Sequence, residues 1–270
     1  MNDKIKLLIW SKDRACQLHL LLEGIHKHLP NVFDITVLFA TSGMTYDMGY
    51  YKLKSQFEQC EWIREYDFHD DTIRIMQEST HENICLSTDD TIVFKTPFIS
   101  PISNLSYGEV FSFRLGLNTL LQNPFDGMIQ PPLVNPVIKF DGDLIHWNAM
   151  GYGPTMNYGY PFGMDMHSYN RDQFLGLTNH FHFNSSTELE GNLFHYRDSC
   201  PYMYAFGHSV AVNVPVNKLS NTQYAGEKVQ RTMLELNELY LSGKKIDLSA
   251  IEQQEVIGCH QLIDLELIDG

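Results

Sequence analysis

The stretch IKLLIWSKDR, residues 5–14, decides the fold of this chain. Its first six residues predict a buried strand, because they contain the apolar run Leu7-Leu8-Ile9-Trp10. The run ends in Ser11-Lys12-Asp13-Arg14, a polar turn that contains helix-capping residue types. After the turn, leucine and isoleucine recur at helical spacing as far as Pro30, which predicts a helix. A strand followed directly by a helix is the first unit of a parallel α/β sheet.

The same alternation of strand and helix continues over the first hundred residues. Further strands are predicted at residues 35–40, 62–66 and 84–86, and helices at 46–59 and 72–79. This order predicts a doubly wound, mostly parallel, Rossmann-like sheet. Because ligands bind beyond the carboxyl ends of the strands in such sheets, residues 11–14 and 87–90 should line one crevice.

The composition changes after residue 96. Proline, glycine, asparagine and aromatic residues dominate residues 97–170, where the only strand candidates are 109–114 and 137–140. This part of the chain is expected to be rich in loops that shape a substrate site. A further helix is predicted at residues 227–241, with Gly243 available to cap its end.

Charge and cysteine content exclude several classes of protein. The formal net charge of −14 argues against a partner such as duplex nucleic acid. Five cysteines without CxxC spacing argue against a disulfide framework and a thiolate zinc site, and favour a reducing cytoplasm. No apolar run approaches the length of a membrane span, so we expect no such span and a cytoplasmic location.

Asp89 and Asp90 follow the fourth predicted strand and precede a second apolar run at residues 91–94. Carboxylates at a strand end suit a hard divalent ion, Mg²⁺ or Mn²⁺, that also contacts phosphates. An Asx turn that closes the strand is the alternative explanation. The position after the fourth strand of a doubly wound half favours the metal.

Several segments, in chain order, resemble GT-A glycosyltransferases. Residues 9–18 resemble the first strand and turn of many bacterial and viral glycosyltransferases, and residues 85–90 look like their DxD-type metal-binding element. Further segments resemble one group of these enzymes, namely residues 160–167, 186–193, 209–217 and 236–238 with Gly243. The usual DxD element separates its acids by one residue, whereas position 88 here is Thr. Which of Asp89 and Asp90 contacts the metal therefore stays open.

The resemblance implies one GT-A domain over residues 1–270. Its parts would be a nucleotide-sugar-binding half at 1–96, an acceptor-binding half at 97–225 and a C-terminal helical segment at 226–270. It implies a metal-dependent glycosyltransferase that moves a sugar from a nucleoside-diphosphate sugar, with a UDP-sugar expected, to a hydroxyl acceptor. The acceptor would be a glycan or, as a second choice, a modified nucleobase. The enzyme would work in the cytoplasm of a bacterium or of a virus-infected cell.

The resemblance also places residues beside the donor. Ser11, Asp13 and Arg14 would lie next to the nucleotide, with Asp13 toward the base or ribose and Arg14 toward phosphate. A capped helix start with a solvated Arg14 explains the same residues equally well. Arg114 ends a predicted strand among apolar residues and needs an anionic partner, either a phosphate or a carboxylate. His260 would complete the metal shell, as a C-terminal histidine does in some GT-A enzymes.

Asp165 and Glu190 are the candidate catalytic carboxylates on the acceptor side. Transfer with inversion needs a base within hydrogen-bond reach of the acceptor hydroxyl. Asp165 is favoured because it lies in a loop of glycine, methionine and aromatic residues, where a lone acid has few other uses. Glu190 also fits a carboxylate in the first turn of a helix.

Two other functions remain open from the sequence. A sugar-phosphate nucleotidyltransferase uses a similar α/β half and a metal, but it normally carries a glycine-rich basic loop after its first strand. Residues 11–14 contain no glycine, which counts against that function. A non-catalytic sugar- or nucleotide-binding module would explain the aromatic loops but not the paired acids at the strand end.

Overall fold

The computed structural model describes residues 4–123, 127–215 and 231–270 of the chain. In the first third, strands and helices alternate as predicted. The elements are β1 (Ile5–Lys12), α1 (Ala15–His28), β2 (Phe33–Ala40), α2 (Met44–Gln56), β3 (Glu61–Arg64), α3 (Phe68–Glu78), β4 (Asn83–Thr88) and β5 (Thr91–Val93). Strands β3, β2, β1 and β4 lie side by side and pair in parallel, which is the strand order of a doubly wound half.

Strand β1 is buried on both faces, which explains the apolar run at residues 7–10. Ile5, Leu7 and Ile9 belong to a core that α1 and α2 also enter. Leu8 and Trp10 belong to a second core, which includes residues of α3 and α4. Successive side chains of a strand point to opposite faces of the sheet, so a sheet covered on both faces needs apolar residues at every position.

The sheet continues into the second half of the chain through strands of both directions. The elements are β6 (Glu109–Ser112), β7 (Leu121–Asn123), β8 (Met128–Ile129), β9 (Val137–Lys139), β10 (Leu144–Asn148), β11 (His167–Asn170), α4 (Arg171–Thr178), α5 (Ser186–Phe194), β12 (Tyr202–Phe206) and β13 (Ala211–Asn213). The central sheet has nine strands in the order β3-β2-β1-β4-β11-β6-β12-β10-β9. Only β11 and β10 run against the other strands of this sheet. The predicted α/β fold with a mostly parallel sheet is confirmed.

Strands β10 and β11 lie where the sequence predicted loops, so that part of the prediction is wrong. Their sequences, LIHWN and HSYN, mix apolar and polar side chains and contain no run of valine and isoleucine. Strand β11 pairs with β4 on one side and β6 on the other, and β10 pairs with β12 and β9. The neighbouring strands, rather than local preference, make these segments strands.

The last part of the chain contains α6 (Met233–Leu241), β14 (Lys244–Ile246), α7 (Leu248–Glu252) and β15 (Leu267–Asp269). A capping box between Thr232 and Glu235 begins α6, and residues 227–230 of the predicted helix lie outside the described residues. Gly243, with φ of 97°, follows the helix where a cap was predicted. Helix α6 packs against α2. Among the described residues, no helix has the length and apolar character needed to cross a membrane.

Candidate active site

Asp89 lies at the carboxyl end of β4 and is 2% exposed. One of its carboxylate oxygens accepts a hydrogen bond from Arg14 Nη1 at 3.0 Å. The other accepts from the Ser11 hydroxyl at 2.8 Å and from the Lys12 amide at 3.3 Å. Burial raises the pKa of Asp89 to about 6, against the opposing effect of Arg14. Both oxygens of Asp89 are therefore held by the turn after β1.

Asp90 is the more exposed acid of the pair, with 17% of its side chain accessible. Its Oδ2 accepts from the same Arg14 Nη1 at 3.1 Å, so this guanidinium bridges the two aspartates. Its Oδ1 accepts from the Thr88 hydroxyl at 2.7 Å and from the Asn213 side-chain amide at 2.8 Å. Asp90 thus faces the crevice while Asp89 forms part of its floor.

Asp165 approaches the pair from the segment before β11. The Thr88 hydroxyl contacts Asp165 Oδ1 as well as Asp90 Oδ1. A threonine hydroxyl has one proton, so it can donate to only one of these carboxylates at a time. Asp165 Oδ2 lies 3.3 Å from Arg114 Nη1. Asp90 and Asp165 therefore sit on either side of one hydroxyl, each beside an arginine.

Arg114 is buried and in contact with the C-terminal segment. Its Nη1 lies 3.1 Å from His260 Nε2 and 3.3 Å from the Cys259 carbonyl oxygen. Because a guanidinium only donates, Nε2 accepts and the imidazole proton lies on Nδ1, which donates to Asn213 Oδ1 at 3.2 Å. Burial and the charge of Arg114 lower the pKa of His260 to about 3, so this histidine is neutral.

Glu190 lies in α5, and Asp165 acts on it electrostatically. Burial and the charge of Asp165 raise the pKa of Glu190 to about 8, while Arg114 and a hydrogen bond with Tyr160 lower it. Ser185 caps α5 and Glu188 is the acid of its first turn. Glu190 therefore lies beyond the first turn, and the explanation of this residue as a first-turn carboxylate is wrong.

Asp13 points into the protein. Its two carboxylate oxygens accept hydrogen bonds from the Ser42 amide at 2.8 Å and the Ser42 hydroxyl at 2.6 Å. Its backbone is left-handed, with φ of 58°, which aspartate tolerates better than most residues. These contacts join the turn after β1 to the loop after β2.

The carboxylates of the crevice outnumber its arginines. Asp89, Asp90, Asp165 and Glu190 face Arg14 and Arg114, which leaves two negative charges in excess when all four acids are ionised. Neighbouring carboxylates raise the pKa values of Asp89 and Glu190 in addition to burial. One divalent cation would balance this charge, and carboxylate oxygens are its preferred ligands. The residues present therefore fit the metal that the resemblance implies.

A compact group of three possible metal ligands occurs elsewhere, at the start of α3. Ligand atoms of Asp67, His69 and Asp70 lie within 4.8 Å of one another, and within residues 4–123, 127–215 and 231–270 no other group of His, Cys, Asp and Glu is as compact. Asp67 caps α3 by accepting from the Asp70 amide at 2.9 Å, and His69 Nδ1 lies 2.9 Å from Asp70 Oδ1. The predicted set of Asp89, Asp90 and His260 is not preassembled in this way.

The sequence did not indicate two residues of the site, Asn213 and Tyr50. Asn213 ends β13 and forms hydrogen bonds with both Asp90 and His260. It lies in the segment 209–217, one of those that resemble the GT-A enzymes. Residues 216 and 217 of that segment lie outside the described residues. Tyr50, in α2, hydrogen-bonds Ser11 and the Arg14 amide. No spacing in the sequence marks Tyr50, because its role arises only from how α2 packs.

No protein-family model matches the chain, and no curated protein matches it. Solved structures show limited likeness. The structure of S. aureus TarS 1–349 has a TM-score of 0.46 at 9% identity, over 77% of this chain and 59% of that one. The inositol-1-phosphate CTP transferase of T. maritima has a TM-score of 0.43 at 10% identity, over 87% and 96%. The galactosyltransferase LgtC has a TM-score of 0.39 at 9% identity, over 87% and 95%.

The chain spans 59% of TarS 1–349 and 35% of the longer TarS structure. Identities of 9–10% carry no information about substrate. The chain's own sheet shows four parallel strands in the order β3-β2-β1-β4, followed by the reversed β11, with the acids at the end of β4. The fold is α/β, with a mostly parallel central sheet.

Proposed function

We propose that this chain is a metal-dependent glycosyltransferase that uses a nucleoside-diphosphate sugar. The observation that supports this function best is that Arg14 donates hydrogen bonds to both Asp89 and Asp90 at the end of β4. The Thr88 hydroxyl contacts Asp165 as well as Asp90, so the third acid lies close by. The acids lie between two arginines at this edge, where an α/β sheet binds its ligands. Such an arrangement suits a cation and a diphosphate bound together.

Asp90 and Asp165 are the proposed ligands of the divalent ion. Asp89 is the less suitable acid, because only 3% of its side chain is accessible, against 17% for Asp90. When bound, the ion would act as a Lewis acid that stabilises charge on the departing diphosphate. Arg14 and Arg114 flank the two proposed ligands and would orient the phosphates.

His260 is proposed as a positioning residue rather than as a metal ligand. Its Nε2 lone pair accepts from Arg114, and its Nδ1 proton is donated to Asn213. Asn213 in turn donates to Asp90. His260 thus orients Arg114 directly and Asp90 through the side-chain amide of Asn213.

Glu190 is the proposed base. Asp165, the acid that the sequence favours, lies between Thr88 and Arg114, where its charge balances the arginine. Glu190 is hydrogen-bonded to Tyr160 and is close enough to Asp165 and Arg114 for both charges to act on its pKa. In a direct displacement, the acceptor oxygen forms the bond to the anomeric carbon, its proton passes to Glu190, and the diphosphate leaves with the electron pair of the broken bond.

The base assignment predicts a separation of binding from transfer. We expect Glu190→Gln to bind UDP in the presence of Mn²⁺ with an affinity within about threefold of that of the original protein. Its rate of sugar transfer should fall by at least about 100-fold, because a general base contributes that much or more. Asp165→Asn should weaken binding and transfer together. The measurements are calorimetric titration and donor turnover. Retained transfer in Glu190→Gln would return the role of base to Asp165.

Thermal unfolding with nucleotides tests the proposed function. The panel contains UDP, GDP, CDP, ADP and UDP-sugars, each with Mn²⁺ and with EDTA. We expect one nucleotide to raise Tm in the presence of Mn²⁺ only, because binding to the native state shifts the transition. No shift with any nucleotide would overturn the proposed function.

Two variants locate the metal. Asp90→Asn should abolish the Mn²⁺-dependent shift. His69→Ala alters the other compact group of possible ligands and should leave the shift unchanged. If His69→Ala abolishes the shift and Asp90→Asn leaves it unchanged, the metal binds at the start of α3 and not in the crevice.

A further inference from the structure

Tyr50 lies under the proposed donor site on the inner face of α2. Its side chain is 1% exposed, and its ring stacks on Phe39 with centroids 4.9 Å apart. The hydroxyl oxygen lies 2.5 Å from Ser11 Oγ and 3.3 Å from the Arg14 amide nitrogen. One phenol oxygen therefore contacts both ends of the turn that follows β1.

The direction of each hydrogen bond follows from the number of protons. The Asp89 carboxylate only accepts, so the single Ser11 hydroxyl proton lies on the 2.8 Å contact with Asp89 Oδ2. The 2.5 Å contact between the two hydroxyls is then a bond that Tyr50 donates. The Arg14 amide can only donate, so the Tyr50 oxygen accepts it. All three protons point along one chain, from the Arg14 amide through Tyr50 and Ser11 to Asp89.

We propose that Tyr50 is a positioning residue that holds Arg14 and Asp89 in the relative arrangement that receives the diphosphate. It fixes the Arg14 backbone directly and the Asp89 carboxylate through Ser11. The Arg14 side chain also bonds Asp89 directly, because its Nη1 lies 3.0 Å from Asp89 Oδ1. The same Nη1 also donates to Asp90 at 3.1 Å. Through Arg14, Tyr50 therefore also helps to position Asp90, a proposed metal ligand. This inference rests on the proposed function.

Removal of the hydroxyl alone is the informative change. Tyr50→Phe keeps the ring against Phe39 but leaves the buried Arg14 amide without its acceptor and Ser11 without its donor. The matched control is Tyr240→Phe. Tyr240 is equally buried, and its hydroxyl bonds Gln56 and His19, remote from the acids.

Calorimetric titration with UDP in the presence of Mn²⁺ measures the effect on the site. We expect Tyr50→Phe to weaken binding at least tenfold and Tyr240→Phe to change it less than threefold. In an Arg14→Ala background, Tyr50→Phe should cause a clearly smaller further loss, because the guanidinium that Tyr50 helps to position is then absent. A loss of the same size in both backgrounds, or no loss in the original protein, would overturn the positioning role.

Hydrogen exchange of the unliganded protein tests the chain of bonds without any nucleotide. The Arg14 amide should exchange at least tenfold faster in Tyr50→Phe and at the original rate in Tyr240→Phe, while amides in the middle of β1 stay protected in both. Unchanged exchange at Arg14 would overturn the inference. If the original protein binds no UDP, the proposed function fails, and the exchange measurement still decides whether Tyr50 holds Arg14.

Discussion

Arg14 is the residue that balances the charge at the end of β4. Its Nη1 lies 3.0 Å from an oxygen of Asp89 and 3.1 Å from an oxygen of Asp90. Asp89 is nearly inaccessible to water, so its charge depends on this guanidinium. A buried ion pair contributes little net stability, but loss of one partner leaves an uncompensated charge. Arg14 is therefore needed for folding as well as for the proposed donor site.

Replacement of Arg14 by alanine should be strongly destabilising. We expect Arg14→Ala to lower the free energy of unfolding by about 3–5 kcal/mol, measured by urea denaturation. Arg74 is the control, because its side chain is 44% accessible to water where it pairs with Asp71 and Glu78. Arg74→Ala should cost about 0–1 kcal/mol. Similar losses for the two variants would show that the Arg14 pairs are no more important than surface pairs.

The orientation of single side chains could not be predicted from the sequence. Topology brought residues 11–14 and 87–90 together, as the structure shows for Ser11, Arg14 and Asp89. It could not show that Asp13 turns inward to Ser42. Nor could it show the contact between Asn213 and Asp90, which are 123 positions apart. Such contacts depend on packing between elements that are distant in the chain.

At the scale of elements, prediction succeeded where the pattern was strong. Strand β1 carries an apolar run at residues 7–10 and β2 is buried over residues 35–39, as strands covered on both faces require. Strand β11 carries His, Ser, Tyr and Asn, and it is a strand only because β4 and β6 lie on either side of it. Short strands of this kind have no local signature that separates them from loops.

Helix α1 lies so close to β5 that only glycine fits at position 24. A Cβ atom on Gly24 would lie 2.3 Å from the Val93 carbonyl oxygen. Gly24→Ala must therefore push the helix and strand apart, and we expect it to lower the free energy of unfolding by about 1–3 kcal/mol. Chemical denaturation provides the measurement.

The control for this prediction is Gly176 in α4. No atom lies within 4 Å of a Cβ built there, so alanine meets open space. Gly176→Ala should raise stability by about 0.4–1 kcal/mol, because alanine loses less backbone entropy in a helix. Destabilisation by both substitutions to the same extent would contradict the close contact between α1 and β5.

At the scale of the whole molecule, the acids of the crevice should make stability depend on pH. Burial and Asp165 raise the pKa of Glu190 from 4.5 to about 8, and burial raises that of Asp89 from 3.8 to about 6. Between these values the folded protein keeps protons that the unfolded chain has released. The contribution of these two acids to stability without metal therefore falls as the pH rises from 5 to 8, by at most about 1.4 kcal/mol per pH unit for each group. His260, whose pKa is lowered from 6.5 to about 3, contributes a slope of the opposite sign at the acidic end of this range.

Urea denaturation at pH 5, 6, 7 and 8 in EDTA measures this slope. Glu190→Gln removes the contribution of Glu190, because the amide does not titrate, so the free energy of unfolding of this variant relative to the original protein should rise with pH. Glu188→Gln is the control in the same helix: its hydrogen bonds with Asn184 lower the pKa of Glu188, so it is ionised in both states across this range. A slope that is unchanged in Glu190→Gln would show that Glu190 titrates normally.

The proposed site draws residues from nearly the full length of the chain. Ser11 bonds Asp89 across 78 positions, and Arg114 bonds His260 across 146. Contacts of such long separation form late in folding, because the intervening loop must first close. A chain still emerging from the ribosome has β1 to β4 but not the Asn213–His260 contact that holds Asp90 and Arg114. Nucleotide affinity would then report that the segment around His260 has docked, and the ligand could serve as a probe of that step.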